Sequence, residues 1–119
     1  MIFRHVLVDL TGVPFDRLSD GALLMARLWT ILSEAGVRIQ QAFEHDLSGR
    51  TPTYLGIIVS NAFHLTITSY PDAHYLALDF VTSAQQDPEA LLKPFIAELS
   101  PSHVEVLELP RGVGDERVM

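Results

Sequence analysis

The run from Leu55 to Ser83, LGIIVSNAFHLTITSYPDAHYLALDFVTS, carries the side chains best suited to chemistry. His64, Thr66, Thr68, Ser69, Asp72 and Ser83 could line one polar pocket. A hydroxyl-rich pocket with a single imidazole supports acid–base work in principle, although no spacing here demands it. Other arrangements are absent or weak. The five histidines form neither an HxH nor an HExxH pair, so no metal site is expected. No GxSxG elbow is present. Gly112-Val113-Gly114 lacks the strand–turn–helix context of a phosphate loop. Glu44, His45 and Asp46 read as a solvated loop, and Trp29 as packing on a helix flank.

The elements that must position these residues follow from periodicity. Residues 4–10 read as a strand, and residues 11–19 as a connection. Asp20 is a good N-cap for a helix to about residue 35, with Leu24, Leu28, Ile31, Leu32 and Ala35 on one face. Gly36 should stop it. Strands are predicted over residues 37–43, 54–60, 64–69, 75–82 and 104–109. Residues 44–52 read as a loop, Asn61-Ala62 as a short hairpin link and Tyr70-Pro71-Asp72 as a turn. Asp87-Pro88 starts a second helix, with Leu91, Leu92, Phe95, Ile96 and Leu99 as its stripe. Pro94 should weaken or bend that helix near its start.

This order predicts an α+β fold, placed broadly in the α/β class. It is a two-layer sandwich, a mostly antiparallel sheet with two helices on one face. Residues 1–110 form a single domain, and residues 111–119 a loose tail. Two helices cannot cover both faces of the sheet, so a dimer through sheet surface or edge is expected.

Composition excludes several classes. A chain of 119 residues, 48% hydrophobic and 19% charged, is one ordinary globular domain. Its net charge is −7 and its eight basic residues are scattered, which argues against nucleic acid. The absence of cysteine excludes disulfides and thiol chemistry. Residues 51–71 hold no Asp, Glu, Lys or Arg, yet Asn61, His64, four Thr and two Ser interrupt them at a strand period, so no membrane span is expected. The N-terminus is not a signal peptide, and a cytoplasmic location is the expectation.

The sequence resembles the small prokaryotic S-adenosylmethionine decarboxylases. Their hallmark is a run close to ESHLTIHTWPE followed by DxFTCG. Here the run is AFHLTITSYPD, from Ala62 to Asp72, followed by DFVTS, from Asp79 to Ser83. The opening RHVLVDLTG also resembles the family's GRHLLVDLYG. The resemblance implies the family's fold and a place in polyamine (spermidine) biosynthesis. In that family a serine attacks the preceding carbonyl, the chain is cut, and a pyruvoyl group forms that serves as electron sink.

The family's functional letters are changed in this chain. The pyruvoyl-forming serine falls at Phe63, which has neither nucleophile nor leaving group. The processing histidine falls at Thr68, the supporting serine at Leu55 and the proton-returning cysteine at Ser83. No catalytic residue, no pyruvoyl group and no other cofactor are therefore expected. The expected protein is uncleaved and inert. It would be a regulatory subunit paired with an active decarboxylase, or a sensor of S-adenosylmethionine or a polyamine. An enzyme of changed chemistry and a pure assembly module are the rivals. Candidate ligand-binding residues are Phe63, His64, Thr66, Thr68, Tyr70, Asp72 and Ser83. The expected partners are a second copy, or an active decarboxylase, and a small cationic ligand.

Overall fold

The structure is a computed structural model and describes residues 2–47, 54–61 and 63–112. The strands are β1 (Phe3–Thr11), β2 (Ile39–Asp46), β3 (Tyr54–Ser60), β4 (Phe63–Tyr70), β5 (Tyr75–Ser83) and β6 (His103–Arg111). The helices are α1 (Phe15–Leu18), α2 (Gly21–Glu34) and α3 (Pro88–Leu99), with a short 3-10 turn at Pro71–Ala73. All six strands join one sheet in the order β2-β3-β4-β5-β1-β6, and every pairing is antiparallel. The expected two-layer sandwich is what the chain forms. Among the described residues no helix is long and apolar enough to cross a membrane.

Strict alternation assigns side chains to the two faces of the sheet. Val6, Val8 and Leu10 of β1, and Leu76, Leu78 and Phe80 of β5, are buried on one face. Ile58 of β3 and Leu65 and Ile67 of β4 join them. The helices lie on this face. Leu24, Met25, Leu28, Ile31 and Leu32 of α2 and Leu92, Phe95 and Leu99 of α3 complete the core. Gly56 lets α2 come close, because a Cβ there would meet Met25 Cε at 2.5 Å. Among the described residues no element covers the other face.

Local signals explain the helix ends. Asp20 and Asp87 cap α2 and α3 by accepting the N–H groups of Leu23 at 3.1 Å and Ala90 at 3.2 Å. Gly36, at φ +90°, follows α2 in the left-handed region where glycine is favoured.

Several sequence expectations need correction. The second strand begins two residues later than expected and runs three further, to Asp46, so Glu44, His45 and Asp46 lie in β2 rather than in a loop. Tyr54 explains part of this, since its phenol donates to Glu44 Oε1 at 2.6 Å and ties the end of β2 to β3. The expected connection at residues 11–19 contains the single turn α1, held where Ser69 Oγ donates to Leu18 O at 3.0 Å. Pro94 lies inside α3, which is helical on both sides of it. Pro94 and Ala90, whose carbonyl loses its partner, are both exposed, so water can serve that carbonyl. Ala35 is the exposed cap of α2 rather than part of its buried stripe. Arg111, expected in the tail, ends β6. Ala62 and the remainder of the tail from residue 113 lie outside the described residues.

Candidate functional site

The uncovered face of the sheet collects the polar side chains. Along β4, His64, Thr66, Thr68 and Tyr70 point to it, while Phe63, Leu65, Ile67 and Ser69 point into the core. Along β5, Tyr75, Asp79 and Ser83 share it, and along β1 so do His5 and Asp9. Leu55 of β3 lies opposite Thr68 on the same face.

The sequence-predicted residues therefore fall into separate places. Phe63 is 6% exposed, with its ring edge-to-face on Phe80 at 4.6 Å. It belongs to the core, on the opposite side of the sheet from Thr68 and Ser83. Ser69 is fully buried, and its hydroxyl is used by the Leu18 carbonyl. Asp72 sits exposed in the 3-10 turn. Thr68 pairs with Ala77, and Ser83 is six residues further along β5. At about 3.3 Å per residue, roughly 20 Å separate Thr68 from Ser83. One chain does not bring positions 63, 68 and 83 into a single cavity.

Among the described residues several hollows border the open face: one of about 370 Å³ is lined by Phe3, Val59, Asn61, Phe63, His64 and Val81, and two others carry charged side chains. The first, about 660 Å³, lies at the His5 end and is lined by His5, His64, Thr66, Asp79 and Arg111, with apolar walls from Phe3 and Val81. His5 is its pivot. Its Nδ1 lies 3.3 Å from Arg111 Nη1, and its Nε2 lies 3.8 Å from Asp79 Oδ1. A guanidinium has donors and no acceptor. In that contact His5 Nδ1 is the acceptor, and Nε2 is the ring nitrogen that faces Asp79. Thr66 Oγ1 donates to the other Asp79 oxygen at 3.4 Å.

The second hollow, about 490 Å³, lies toward the other end and carries Asp9, Tyr75, Asp79 and Glu105. Tyr75 donates to Asp9 Oδ1 at 2.6 Å and stacks on Tyr70 with ring centres 5.3 Å apart. That hydrogen bond, then burial, then the Asp9 charge push the Tyr75 phenol up to about 12. It stays a neutral donor across the physiological range. Burial, followed by the hydrogen bond to Glu44, also raises the Tyr54 phenol. Among the described residues no three His, Asp or Glu side chains form a group that could hold a metal ion.

His5, Asp9, Tyr75 and Arg111 were not singled out as site candidates from the sequence. The signal was present in part. His5 and Asp9 sit at alternate positions of an apolar strand, as do Tyr75 and Asp79, which marks each pair as sharing the face opposite the core. The order of strands, which sets β1 between β5 and β6, is what brings them together.

The fold is shared with known proteins. The S-adenosylmethionine decarboxylase family model matches residues 4–112. The S-adenosylmethionine decarboxylase proenzyme of Anoxybacillus flavithermus is 31% identical over 93% of this chain and 88% of its own length. The S-adenosylmethionine decarboxylase proenzyme 2 of Halalkalibacterium halodurans is 30% identical over 93% of this chain and 87% of its own. The crystal structure of the adenosylmethionine decarboxylase from Aquifex aeolicus superposes with a TM-score of 0.79 at 18% identity, covering 94% of this chain and 92% of that one, a likeness of fold. This chain belongs to the S-adenosylmethionine decarboxylase family. The family is pyruvoyl-dependent and takes no external cofactor.

Proposed function

We propose that this chain is an uncleaved member of its family that forms no pyruvoyl group and decarboxylates nothing. It acts as a binding subunit, either regulating an active decarboxylase or sensing S-adenosylmethionine or a polyamine. The observation that carries this reading is Phe63. At the family's pyruvoyl-forming position stands a hydrocarbon ring, 6% exposed and packed on Phe80. It can neither attack the preceding carbonyl nor leave by elimination. The residues present do not fit a pyruvoyl group. Leu55, Thr68 and Ser83 support the same reading. A threonine is no base near neutral pH, and a serine hydroxyl is a far weaker acid than a thiol.

The mode of pairing follows from the open face. It presents Leu55, Ile57, Val59, Leu107 and Leu109, all at least partly exposed, and no described element covers them. Two such faces stacked about a two-fold axis, ends exchanged, would set Thr68 and Tyr70 of one copy over the Ser83 end of the other. Pairing with an active decarboxylase of the same fold would do likewise. The acidic hollow of Asp9 and Glu105 favours a small cation as ligand.

Intact-mass measurement of the purified protein tests the central claim. The expected result is one species of the full 13.2 kDa chain, with no release of CO₂ from carboxyl-labelled S-adenosylmethionine. Two fragments, or a carbonyl trapped by borohydride and amine, would overturn it. A thermal-shift panel of S-adenosylmethionine, its decarboxylated form, putrescine and spermidine then tests ligand binding. A ligand at about a hundred times its Kd adds roughly 2.7 kcal/mol, a shift of several degrees.

A further inference from the structure

We infer that the hollow at the His5 end of the open face binds the zwitterionic head of a neutral, apolar α-amino acid. The carboxylate would sit on Arg111 and the ammonium on Asp79. This deepens the ligand-binding reading above and rests on it in one respect: the hollow must stay reachable, either on an unpaired face or as a cleft left between two stacked copies.

The argument starts from charges left unmatched. Arg111 has five guanidinium donors, and its one hydrogen-bond partner among the described residues is His5 Nδ1, at 3.3 Å. No carboxylate among the described residues pairs with it. Asp79 is in the complementary condition. Its oxygens have Thr66 Oγ1 at 3.4 Å and His5 Nε2 at 3.8 Å, both longer than a strong charge-assisted bond. Its side chain is 44% exposed toward the hollow, so a further donor can reach it.

A cation and an anion thus stand on either side of one imidazole. The ring separates them and keeps them from neutralising each other directly. A ligand carrying both a carboxylate and an ammonium on one carbon satisfies both, and a ligand carrying one of them leaves the other charge unmatched. The planar guanidinium suits the carboxylate, since it offers two parallel donors. The remaining walls choose the side chain. Ile2, Phe3 and Val81 are apolar, His64 and Thr66 add polar edges, and among the described residues the lining holds no further Asp, Glu, Lys or Arg to pair with a third charge. Gly112, at φ +75°, turns the chain just after Arg111, and a Cβ there would meet Ile2 at 3.0 Å. The rim is therefore built for a small residue at that point.

The test is side-chain NMR on isotope-labelled full-length protein, titrated with L-methionine, L-leucine and L-phenylalanine. 3-Methylthiopropylamine, which lacks the carboxylate, and 4-methylthiobutyrate, which lacks the ammonium, are the controls. Saturable shifts of the Arg111 and His5 signals with the intact amino acids are expected in the millimolar range. Either truncated compound should bind about tenfold more weakly or worse, the loss of one charge-assisted contact. Arg111→Met and Asp79→Asn should each lose binding to the same degree with the backbone spectrum otherwise unchanged. Equal binding of a truncated compound would overturn the inference, as would the absence of any saturable shift. It would equally be overturned if both variants left binding intact and changed only the oligomeric state, because the charges would then serve a partner copy. A parallel titration with S-adenosylmethionine and spermidine separates the two claims. Their failure to bind counts against the ligand-sensing function, whereas failure of the free amino acids counts against this hollow.

Discussion

The two faces of the sheet are built from the same strands and differ in almost every other respect. The covered face holds Val6, Val8, Leu65, Ile67, Leu78 and Phe80, each 0–1% exposed. The open face, one residue along each strand, holds His5, His64, Thr66, Thr68, Tyr75 and Asp79. The family motif is divided between them. In HLTIT, the leucine and isoleucine go to the core and the histidine and both threonines go to the open side. Leu65 and Ile67 match the family's letters and pack in the core, while on the open side His64 and Thr66 match them and Thr68 stands in place of a histidine. Phe63 is the exception that teaches most. Its parity puts it on the covered face, where its ring packs on Phe80, and it also borders a hollow with Phe3, Val59, His64 and Val81.

The sharpest way to break this contrast is to replace that ring. Phe63→Ser should cost about 3–5 kcal/mol, because a buried aromatic is lost and a hydroxyl is introduced against Phe80. Urea unfolding reads the loss directly. The variant should also remain uncleaved on an intact-mass spectrum, since Thr68 supplies no base and Leu55 no hydroxyl. Cleavage in Phe63→Ser would mean that the scaffold alone can drive processing. A loss under 1 kcal/mol would mean that the ring is not part of the core.

The next effect belongs to a polar group that crossed to the covered side. Ser69 is 0% exposed, and its hydroxyl donates to the Leu18 carbonyl. Ser69→Ala should cost about 1–3 kcal/mol by leaving that carbonyl without its partner. Hydrogen exchange should rise first around α1, which this bond attaches to β4. A neutral outcome would require water to replace the hydroxyl.

The sheet, its antiparallel character and both long helices are legible in the sequence because each follows from local rules. Alternation gives the strands, Asp20 and Asp87 the helix starts, and Gly36 the stop. The end of β2 is not legible. Glu44, His45 and Asp46 are polar because β2 is an edge strand with little to bury, and polarity alone reads as loop. Much of the site was hidden for another reason. Whether Thr68 and Ser83 meet depends on cross-strand register, and whether Arg111 meets His5 depends on β6 pairing with β1 across about a hundred residues of chain. A motif quoted as one line of letters suggests a neighbourhood that the sheet then separates.

A smaller effect distinguishes the acidic end of the open face. Tyr75→Phe removes the 2.6 Å bond to Asp9 and should cost about 1 kcal/mol at neutral pH. Its pH dependence is more telling. The folded phenol is pushed up to about 12 from an ordinary 10.0, so its neutral form is favoured by folding. The contribution is fully present below pH 10, falls as the unfolded chain ionises first, and is gone above about 12. Wild-type stability should drop more steeply than that of Tyr75→Phe across this window. Tyr54 adds a fall of the same sign, so the comparison is best made in a Tyr54→Phe background, where parallel curves would sink the assignment to Tyr75.

The least effect on the fold should come from the open face's apolar residues, and this is where the faces can be told apart most cleanly. Leu107 is 58% exposed in β6, against 0% for Leu78 in β5. Leu107→Ser should change the stability of dilute protein by about 0.5 kcal/mol or less, as surface substitutions do. If open faces pair, however, the wild-type melting temperature must rise with protein concentration, because association stabilises only the folded form. Leu107→Ser should flatten that rise while leaving the dilute limit in place, and sedimentation should show the corresponding shift toward monomer. A concentration-independent melting temperature in the wild type, with one sedimenting monomer, would leave the open face to small ligands alone.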